Sequence, residues 1–395
     1  MFSARVPAQL GANRLAAAVA ARRAAGDPII DLTESNPTRA GLSYPTALLT
    51  PLGDSRGLRY EPQPFGLMAA RQAVANDFAR RGVSVAADRV VLAASTSDAY
   101  GWLFKLLADA GDEVLVPRPS YPLFDHLTRL DAVITRPYDL EYHGAWSIDV
   151  AGVEAAMTPR TRAVLLVSPN NPTGSFVKQH ELDRIAALCA DRGVAVIADE
   201  VFADYELMPG AGGLAARVLD RRDVLTFSLG GLSKSIGLPQ VKLGWLAVAG
   251  PDGLVAAALD RLELVCDTYL TVSTPVQASA AELLTAGAQV RDEIAGRARA
   301  NHTHLGARLA STPSCRALHV EGGWSAVVQV PSLESEEDLV VSLLQREGVL
   351  THPGYFFDFA RESYLVVSLL PPPEIFAEGI DRILRHFDCS IRGHE

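Results

Sequence analysis

Lysine side chains are scarce in this sequence, and they are the candidates for amine chemistry. Of the 36 basic residues, four are lysines: Lys105, Lys178, Lys234 and Lys242. A primary amine can act as a nucleophile or form an imine with a carbonyl group. Lys234 lies in a glycine- and serine-rich loop, residues 228–235, and Lys242 follows eight residues later. If the chemistry needs an amine, each of these positions can be weighed separately.

Other polar groups follow predicted strands. Apolar, β-branched runs predict strands at 89–93, 113–116, 163–167, 194–198, 224–227 and 242–248, and a further short strand is predicted at 132–136. The stretches that follow the first four are Ser95-Thr96-Ser97-Asp98, Pro119-Ser120-Tyr121, Asn170-Asn171 and Asp199-Glu200. In open α/β sheets, ligand-binding groups collect just beyond the carboxyl ends of the strands. We therefore expect these groups and the loop of Lys234 to lie close together.

Each of these groups also has an ordinary structural role. Residues 95–98 can bind phosphate through free backbone N–H groups at a helix start, and the same residues form a common N-cap. Tyr121 can contact a ligand or pack in the core or at its rim. A carboxylate at the end of an apolar strand, such as Asp199, is costly unless it has a cationic partner.

The elements that position these groups alternate along the chain. Short apolar strands separated by helices are typical of a parallel sheet covered on both faces. The predicted helices of this part are 67–81, 98–110, 121–130 and 180–191. We predict a large, doubly wound, mostly parallel α/β domain at 46–275, preceded by an N-terminal arm at 1–45 that packs with the smaller domain.

The remainder of the chain, 276–395, is predicted to form the smaller α+β domain. An alanine- and arginine-rich pattern predicts one long helix at 275–309. Strands at 325–330, 349–351 and 364–368 follow, and the last predicted helix is 373–386. The two domains are expected to share a packed helix near their boundary.

Composition limits the classes of partner. The chain has 395 residues, 48% hydrophobic and 21% charged, with a net charge of −10, which disfavours binding to nucleic acid or to an anionic membrane. Its four cysteines lie far apart without metal-ligand spacing, so we expect reduced thiols and no metal site. Apolar runs fall short of the ~20 residues that span a bilayer, and we expect a cytoplasmic protein.

At this point a family resemblance is clear. The sequence resembles the class I/II aminotransferases, fold-type I enzymes that use pyridoxal 5′-phosphate (PLP). The resemblance extends from Tyr60 and Gly66 to His352-Pro353-Gly354-Tyr355-Phe356. Its central motifs are Asn171-Pro172-Thr173-Gly174, Asp199-Glu200, Ser233-Lys234, Gly237-Leu238-Pro239 and Gly244-Trp245. Each motif is modest alone, but their order and spacing are specific.

The resemblance implies a role for each candidate residue. Lys234 matches the lysine that binds PLP as an imine and moves protons, and Asp199 matches the carboxylate that keeps the pyridine nitrogen protonated. Asn171 matches the amide that contacts the ring hydroxyl and often the substrate carboxylate. Tyr121 matches the ring that stacks on the cofactor and also borders the substrate. The predicted phosphate ligands are Thr96, Ser97, Ser233 and Lys242, with Tyr60 from a neighbouring subunit, which implies a homodimer with shared sites. The remaining lysines, Lys105 and Lys178, are expected to be solvated.

Three positions depart from the family pattern. Phe202 stands where a tyrosine usually donates to the ring oxygen of the cofactor; Tyr205 could replace it, although packing is its expected role. Val366 stands where an arginine usually binds the substrate carboxylate, and Gln240 replaces a glycine without an evident reason. A replacement cation could come from Arg361, Arg39 or Arg118. The aromatic residues at 355–359 either line an apolar pocket or belong to the core.

The predicted function is a PLP-dependent aminotransferase that moves an amino group from a donor to a keto acceptor by a ping-pong mechanism. The alternative is a PLP-dependent lyase on the same fold, such as a C–S β-lyase, and a third hypothesis is a non-catalytic PLP-binding domain. No strand is followed by G-x-G-x-x-G, and the sequence has no G-x-S-x-G or Walker motif.

Overall fold

The computed structural model describes residues 1–8, 11, 13–208, 210, 213, 215–361 and 363–392, without the side chains of 388–392. No helix of this described part is long and apolar enough to cross a membrane.

A large sheet of eight strands forms the centre of the molecule. In chain order its strands are β2 (Val90–Ala93), β3 (Glu113–Arg118), β4 (Ile134–Tyr142), β5 (Trp146–Ile148), β6 (Thr161–Val167), β7 (Ala195–Asp199), β8 (Thr226–Gly231) and β9 (Gly244–Ala249). Their order across the sheet is β2-β9-β8-β7-β6-β3-β4-β5. Strands β2, β8, β7, β6, β3 and β4 run in one direction, whereas β9 and β5 run in the other. The predicted α/β architecture is therefore confirmed.

Helices cover both faces of this sheet. The helices before and among its strands are α1 (Arg14–Ala25), α2 (Met68–Arg80), α3 (Thr96–Leu107), α4 (Leu123–Leu130), α5 (Val150–Ala156), α6 (Gln179–Arg192), α7 (Leu232–Ser235) and α8 (Asp252–Tyr269). Successive strand residues face opposite sides, so Val90 and Leu92 join one apolar cluster while Val91 and Ala93 join another. Burial on both faces explains why these strands are almost wholly apolar in sequence.

A second, four-stranded antiparallel sheet follows in the chain. It is formed by β10 (Arg316–Ala317), β11 (Ser325–Gln329), β13 (His352–Pro353) and β14 (Tyr364–Ser368), in the order β10-β11-β14-β13. The accompanying helices are α12 (Glu336–Ser342) and α13 (Pro373–Arg392), with one π-helical turn at Leu343–Glu347. In the N-terminal segment, β1 (Ile30–Asp31) pairs with β12 (Val349–Leu350), so this segment packs against the small sheet region.

The prediction of one continuous helix at 275–309 is wrong. The structure has α9 (Thr274–Ala278), α10 (Ala280–Ala286) and α11 (Ala288–Ala310) instead. At the first break, the Ser279 hydroxyl is within hydrogen-bond distance of the carbonyls of Pro51 (2.6 Å) and Pro275 (2.8 Å). At the second break, Gly287 packs against Ile236, where a Cβ atom would come within 2.6 Å of the isoleucine side chain. Both breaks are therefore fixed by contacts with distant segments, which a local helical pattern does not reveal.

The hairpin of β4 and β5 also differs from prediction. The sequence predicted a short strand at 132–136, but β4 continues to Tyr142 and turns back into β5. Its end reaches the segment between β10 and β11 of the small sheet, where the Tyr142 hydroxyl accepts a hydrogen bond from the backbone N–H of His319 at 3.0 Å. The extension therefore joins an edge of the large sheet to the chain that forms the small one.

The segment before β11 is anchored to loops of the large sheet. The carboxylate of Glu321 accepts hydrogen bonds from Lys178 Nζ and from the backbone N–H of Phe176, the latter at 2.8 Å. The backbone N–H groups of Gly322 and Gly323 donate to the carbonyls of Gly174 (2.9 Å) and Tyr205 (2.8 Å). The Lys178 amine is thus paired and mostly buried rather than solvated as predicted, because Glu321 provides a buried partner.

The Glu321→Ala substitution is expected to lower the free energy of unfolding by about 3 kcal/mol or more, because it leaves the amine of Lys178 without its buried partner. The Glu154→Ala control removes the partner of Arg192 in an exposed ion pair and should cost less than about 1 kcal/mol. Urea denaturation followed by circular dichroism measures both values. Equal effects of the two substitutions would contradict this account.

Candidate functional site

Lys234 lies at the carboxyl end of β8, in the single turn of α7. Its Nζ atom lies 5.5 Å from the ring centre of Phe202 and 5.0 Å from that of Trp324. Burial lowers the pKa of the Lys234 amine, and the negative charge of Asp199 offsets part of this effect. A lowered pKa increases the fraction of neutral amine, which is the nucleophilic form.

Asp199 ends β7, the strand adjacent to β8 in the sheet. Its carboxylate accepts hydrogen bonds from the Tyr100 hydroxyl at 2.9 Å and from the backbone N–H of Val201 at 3.2 Å. The residue is 8% exposed, and burial raises the pKa of its carboxyl group, while these two donors and the charge of Lys234 act in the opposite direction. Asp199 is therefore a buried acid whose charge is only partly compensated by its neighbours.

The first turn of α3 lies beside the start of β9. Ser95 caps α3 by accepting a hydrogen bond from the backbone N–H of Asp98 at 3.2 Å, and Thr96 and Ser97 follow it, partly buried. A Cβ atom on Gly244 would lie 2.9 Å from the backbone of Ser95, so the glycine allows the two segments to approach closely. The structure therefore brings the N-terminus of α3, which favours anions, next to the strand that follows Lys242.

Lys242 has the left-handed backbone conformation, with φ of +61°, and an exposed side chain. Such a conformation is uncommon for a residue with a side chain and is often found at functional sites. Ser233, adjacent to Lys234, is partly buried. Both residues lie at the same edge of the sheet as the first turn of α3, so four of the predicted phosphate ligands, Thr96, Ser97, Ser233 and Lys242, lie in one region.

Asn171 lies in the loop after β6, partly buried, and its Oδ1 is 3.4 Å from the Ser325 hydroxyl at the start of β11. The preceding Asn170 instead stabilises the turn, since its Oδ1 accepts from the Thr173 hydroxyl at 3.1 Å and its carbonyl accepts from the N–H of Gly174 at 2.7 Å. The two adjacent asparagines therefore have different environments, and Asn171 is the one that faces the small sheet.

The two tyrosines that are predicted to contact the cofactor, Tyr121 and Tyr60, are exposed in the single chain. Tyr121, in the loop after β3, is 45% exposed, and Tyr60 is 72% exposed. Tyr60 borders a small cavity together with Leu270 and Gln277. The structure thus places Tyr121 at the sheet edge that carries the other candidate groups, and Tyr60 on the surface near the end of α8.

The candidate arginines for a substrate carboxylate are separate from one another. Arg39 is exposed and pairs with Glu34 at 3.4 Å, and Arg361 is exposed near the start of β14. Arg118 ends β3 and makes a two-pronged contact with Asp139, at 2.8 and 3.1 Å. Val366 is buried in β14. The structure therefore does not bring these arginines together at Val366.

Tyr205 packs in the core and does not replace the hydroxyl missing at Phe202. It is fully buried, and its hydroxyl donates to the carbonyl of Lys234 and lies 3.3 Å from that of Ser235. Its ring and that of Phe202 both pack edge-to-face on Trp324, at 5.0 and 5.2 Å between ring centres. Tyr205 thus supports the backbone beneath Lys234.

Sequence reasoning missed two residues at the site. Tyr100 lies one turn beyond Thr96 in α3, and the start of that helix was already a candidate; residues three or four apart share a helix face, which is a signal that could have identified it. Trp324 is 3% exposed and reaches Lys234 from the segment before β11. Since Lys234 and Trp324 meet only through tertiary packing, no local pattern indicates this contact.

Comparison with known proteins identifies the family. The sequence profile of "Aminotransferase class I and II" matches residues 27–383. The chain belongs to the class I and II aminotransferase family. The predicted family and enzyme class are thereby confirmed.

Relatives of the chain carry aminotransferase names. It is 27% identical to the alanine aminotransferase of Mycobacterium tuberculosis over 384 residues, covering 93% of this chain and 87% of that protein. It is 24% identical to the glutamate-pyruvate aminotransferase AlaA of Escherichia coli over 362 residues, covering 88% and 87%.

Solved structures of this family have the same fold. The alanine aminotransferase of Pyrococcus furiosus superposes with a TM-score of 0.88 at 24% identity, covering 98% of this chain and 100% of that one. The tyrosine aminotransferase of Leishmania infantum gives 0.82 at 20% identity, covering 97% and 99%. These superpositions confirm the predicted fold class of fold-type I aminotransferases.

The Asp199→Asn substitution is expected to stabilise the ligand-free chain at pH 7. Because the pKa of Asp199 is raised in the folded state, its favourable contribution is present below the ordinary value of 3.8 and is lost as pH rises through the folded value. The increase in the free energy of unfolding that the neutral amide produces should therefore become smaller as pH falls towards about 4. Urea denaturation of ligand-free wild-type and variant protein across this pH range measures the increase.

Asp223→Asn provides a control with the opposite sign. The hydrogen bond from Arg221 lowers the pKa of Asp223, so its carboxylate stabilises the fold above the ordinary value. Removing that charge should destabilise the chain at pH 7 by less than about 1 kcal/mol, since the pair is partly exposed. A loss of stability at pH 7 in Asp199→Asn would contradict the prediction.

Proposed function

We propose that this protein is a PLP-dependent aminotransferase that moves an amino group from a small-molecule donor to a keto acceptor by a ping-pong mechanism. The observation that carries the proposal is the pair of partly buried Lys234 and buried Asp199 at the ends of adjacent parallel strands. An amine of lowered pKa can bind an aldehyde, and a buried carboxylate can bind a cationic ring nitrogen.

The donor set fits the cofactor at three points. Within the described part of the chain, Asp199 accepts its hydrogen bonds from the neutral groups of Tyr100 and Val201, so a protonated pyridine nitrogen would supply the cation that a buried carboxylate needs. The N-terminus of α3 offers N–H groups and the hydroxyls of Thr96 and Ser97 to a phosphate. We assign Lys242 and Ser233 to the same phosphate, and Asn171 and Tyr121 to the ring.

When bound, PLP supplies the electron sink that makes removal of a proton from the substrate carbon feasible. In this proposal Lys234 Nζ would accept that proton and later release it. Asp199, held by the Tyr100 hydroxyl, would pair its negative charge with a cationic ring nitrogen. Phe202 and Trp324 enclose the amine with apolar surface, which reduces the access of water to it.

The names of the relatives support small amino and keto compounds as substrates. The relatives named above act, by name, on alanine or on glutamate and pyruvate. At identities of 24–27% these relatives support the reaction class proposed for this chain.

A homodimer is part of the proposal. Large apolar side chains are exposed around Tyr60, and Leu58, Leu264 and Tyr269 are each more than half exposed. The 3₁₀ turn Ser55–Leu58 packs against α9, and Tyr60 borders a small cavity with Leu270, the residue after α8, so Leu58, Tyr60 and Tyr269 lie in one region of the surface. A second copy of the chain would cover them and bring its Tyr60 to the partner's phosphate.

We also propose that the enzyme works in the cytoplasm. Cys189 and Cys266 are buried free thiols, and burial raises the pKa of each to about 12. Thiols of this kind are unreactive and suit a reducing compartment.

A C–S β-lyase is the alternative on the same fold, and spectra of a half-reaction distinguish the two. With an amino donor alone, an aminotransferase converts the cofactor stoichiometrically to its aminated form. Release of pyruvate and ammonia from cysteine conjugates, with the cofactor spectrum unchanged after turnover, would instead favour the lyase.

Lys234→Ala is expected to abolish the cofactor adduct that borohydride reduces, since the side-chain amine that forms the imine is removed. The matched control, Lys242→Ala, should keep the adduct and weaken cofactor binding by about tenfold or more, because a phosphate contact is lost. Peptide mass mapping after reduction locates the adduct. A mass shift on Lys242 in the wild-type protein would overturn the assignment.

Asp199→Asn is expected to slow the half-reaction by about a thousandfold or more, equivalent to ~4 kcal/mol of transition-state stabilisation, while the cofactor still binds. The amide cannot hold the ring nitrogen protonated, so the electron sink is impaired rather than the binding. Stopped-flow absorbance measures the rate, and equilibrium dialysis measures binding. A variant that binds the cofactor and reacts at the wild-type rate would exclude this role for Asp199.

A further inference from the structure

One face of the small sheet is turned towards the candidate site. Ser325 and Val327 on β11 pair with Ser368 and Val366 on β14, so these four side chains share a face. The Ser325 hydroxyl lies 3.4 Å from Asn171 Oδ1. Val366 therefore lies on the face that meets the loop after β6, in the next residue pair on that face after Ser325 and Ser368.

Apolar side chains fill the space over this face. Val366 is 1% exposed and belongs to a cluster, here called the Val366 cluster, formed by Trp146, Leu318, Val327, Phe357 and Val366. The carbonyl of Phe357 accepts a hydrogen bond from the backbone N–H of Ser120 at 3.0 Å, so the cluster lies directly beside the loop that carries Tyr121. Phe359 extends it by packing on Trp146 at 6.0 Å between ring centres.

Charges of both signs flank the Val366 cluster in the described chain. Glu336 accepts hydrogen bonds from the backbone N–H groups of Tyr355 and Tyr364, at 2.7 and 2.8 Å, behind the cluster. Asp358 follows Phe357 directly. Arg118 is held by Asp139, and Arg316 lies over the ring of Tyr142, 5.7 Å from its centre. Both of these cations therefore contact other groups rather than Val366.

His352 is the titratable residue directly opposite Val366 in the sheet. Its ring stacks on Phe356 at 4.9 Å between centres. Burial lowers the pKa of its imidazole, so the ring is neutral at neutral pH and does not replace a cation. Arg39, in the N-terminal arm, is paired with Glu34.

A buried carboxylate without a cation is poorly stabilised, whereas apolar groups gain from contact with an apolar cluster. We propose that the preferred amino donor carries no carboxylate on its amine-bearing carbon, because the buried, apolar Val366 cluster provides no cation for that group, and that the rest of the donor is apolar or aromatic. Primary amines such as arylalkyl or branched alkyl amines are the substrate class that fits. This inference rests on the proposed aminotransferase function.

The experiment compares donors that differ only in the carboxylate. Purified holoenzyme is mixed with 2-phenylethylamine or L-phenylalanine, and with 3-methylbutylamine or L-leucine, and the rate of cofactor amination is read by absorbance. The amine of each pair should react at least tenfold faster. Val366→Arg should shift the ratio at least tenfold towards the amino acid, because it supplies the cation. Gln329→Arg adds the same charge at an exposed position of the same sheet and should leave the ratio unchanged.

Two further variants keep the test decisive if Val366→Arg does not fold. Arg39→Met and Arg361→Met should leave the ratio of amine to amino acid unchanged. The inference is overturned if the amino acid of each pair reacts as fast as the amine or faster, if no amine reacts, or if either variant selectively slows the amino acids tenfold. Absence of a reducible adduct on Lys234 would instead refute the proposed function, so the two failures are distinguishable.

Discussion

The site depends on burying an amine and a carboxylate together without allowing them to neutralise each other fully. Burial raises the pKa of Asp199 and lowers that of Lys234, while each charge partly restores the other. Both groups are therefore less stable in their charged forms than in water, and a ligand that brings an opposite charge or takes up the amine gains binding energy there. The parallel sheet makes this arrangement sustainable, because Asp199 and Lys234 are fixed by adjacent strands whose hydrogen bonds hold them in place.

Contacts from the rest of the fold hold Asp199 and Lys234 in these positions. Tyr100 reaches Asp199 from a helix that begins at the sheet edge, and Tyr205 binds the backbone under Lys234. Trp324 closes the space above the amine from the segment that Glu321 anchors to the loop after β6. The contact of the small sheet region with the large sheet therefore has a chemical consequence, because it limits the access of water to the Lys234 amine.

The sequence predicted the parts of this arrangement that follow from periodicity and order. The alternation of apolar strands and helices predicted the large sheet, and the loops after its strands indicated Lys234 and Asp199 as neighbours. It failed where a distant contact determines local structure: Ser279 and Gly287 break a helical pattern because they meet Pro51 and Ile236. Lys178 was predicted to be solvated for the same reason, since nothing near it in the chain indicates Glu321. The contact of Trp324 with Lys234 likewise arises only from folding.

The position of Val366 shows how a departure from a family pattern acquires physical meaning only in the folded chain. In the sequence, a valine in place of an arginine is only a missing cation, and any of several arginines could replace it. In the structure the position is closed by Trp146 and Phe357, and Arg118 is occupied by Asp139. A cation supplied from elsewhere would have to displace buried aromatic side chains from van der Waals contact, at a cost in apolar burial. The apolar cluster is therefore an alternative way of completing the site, and not a carboxylate pocket that has lost one group.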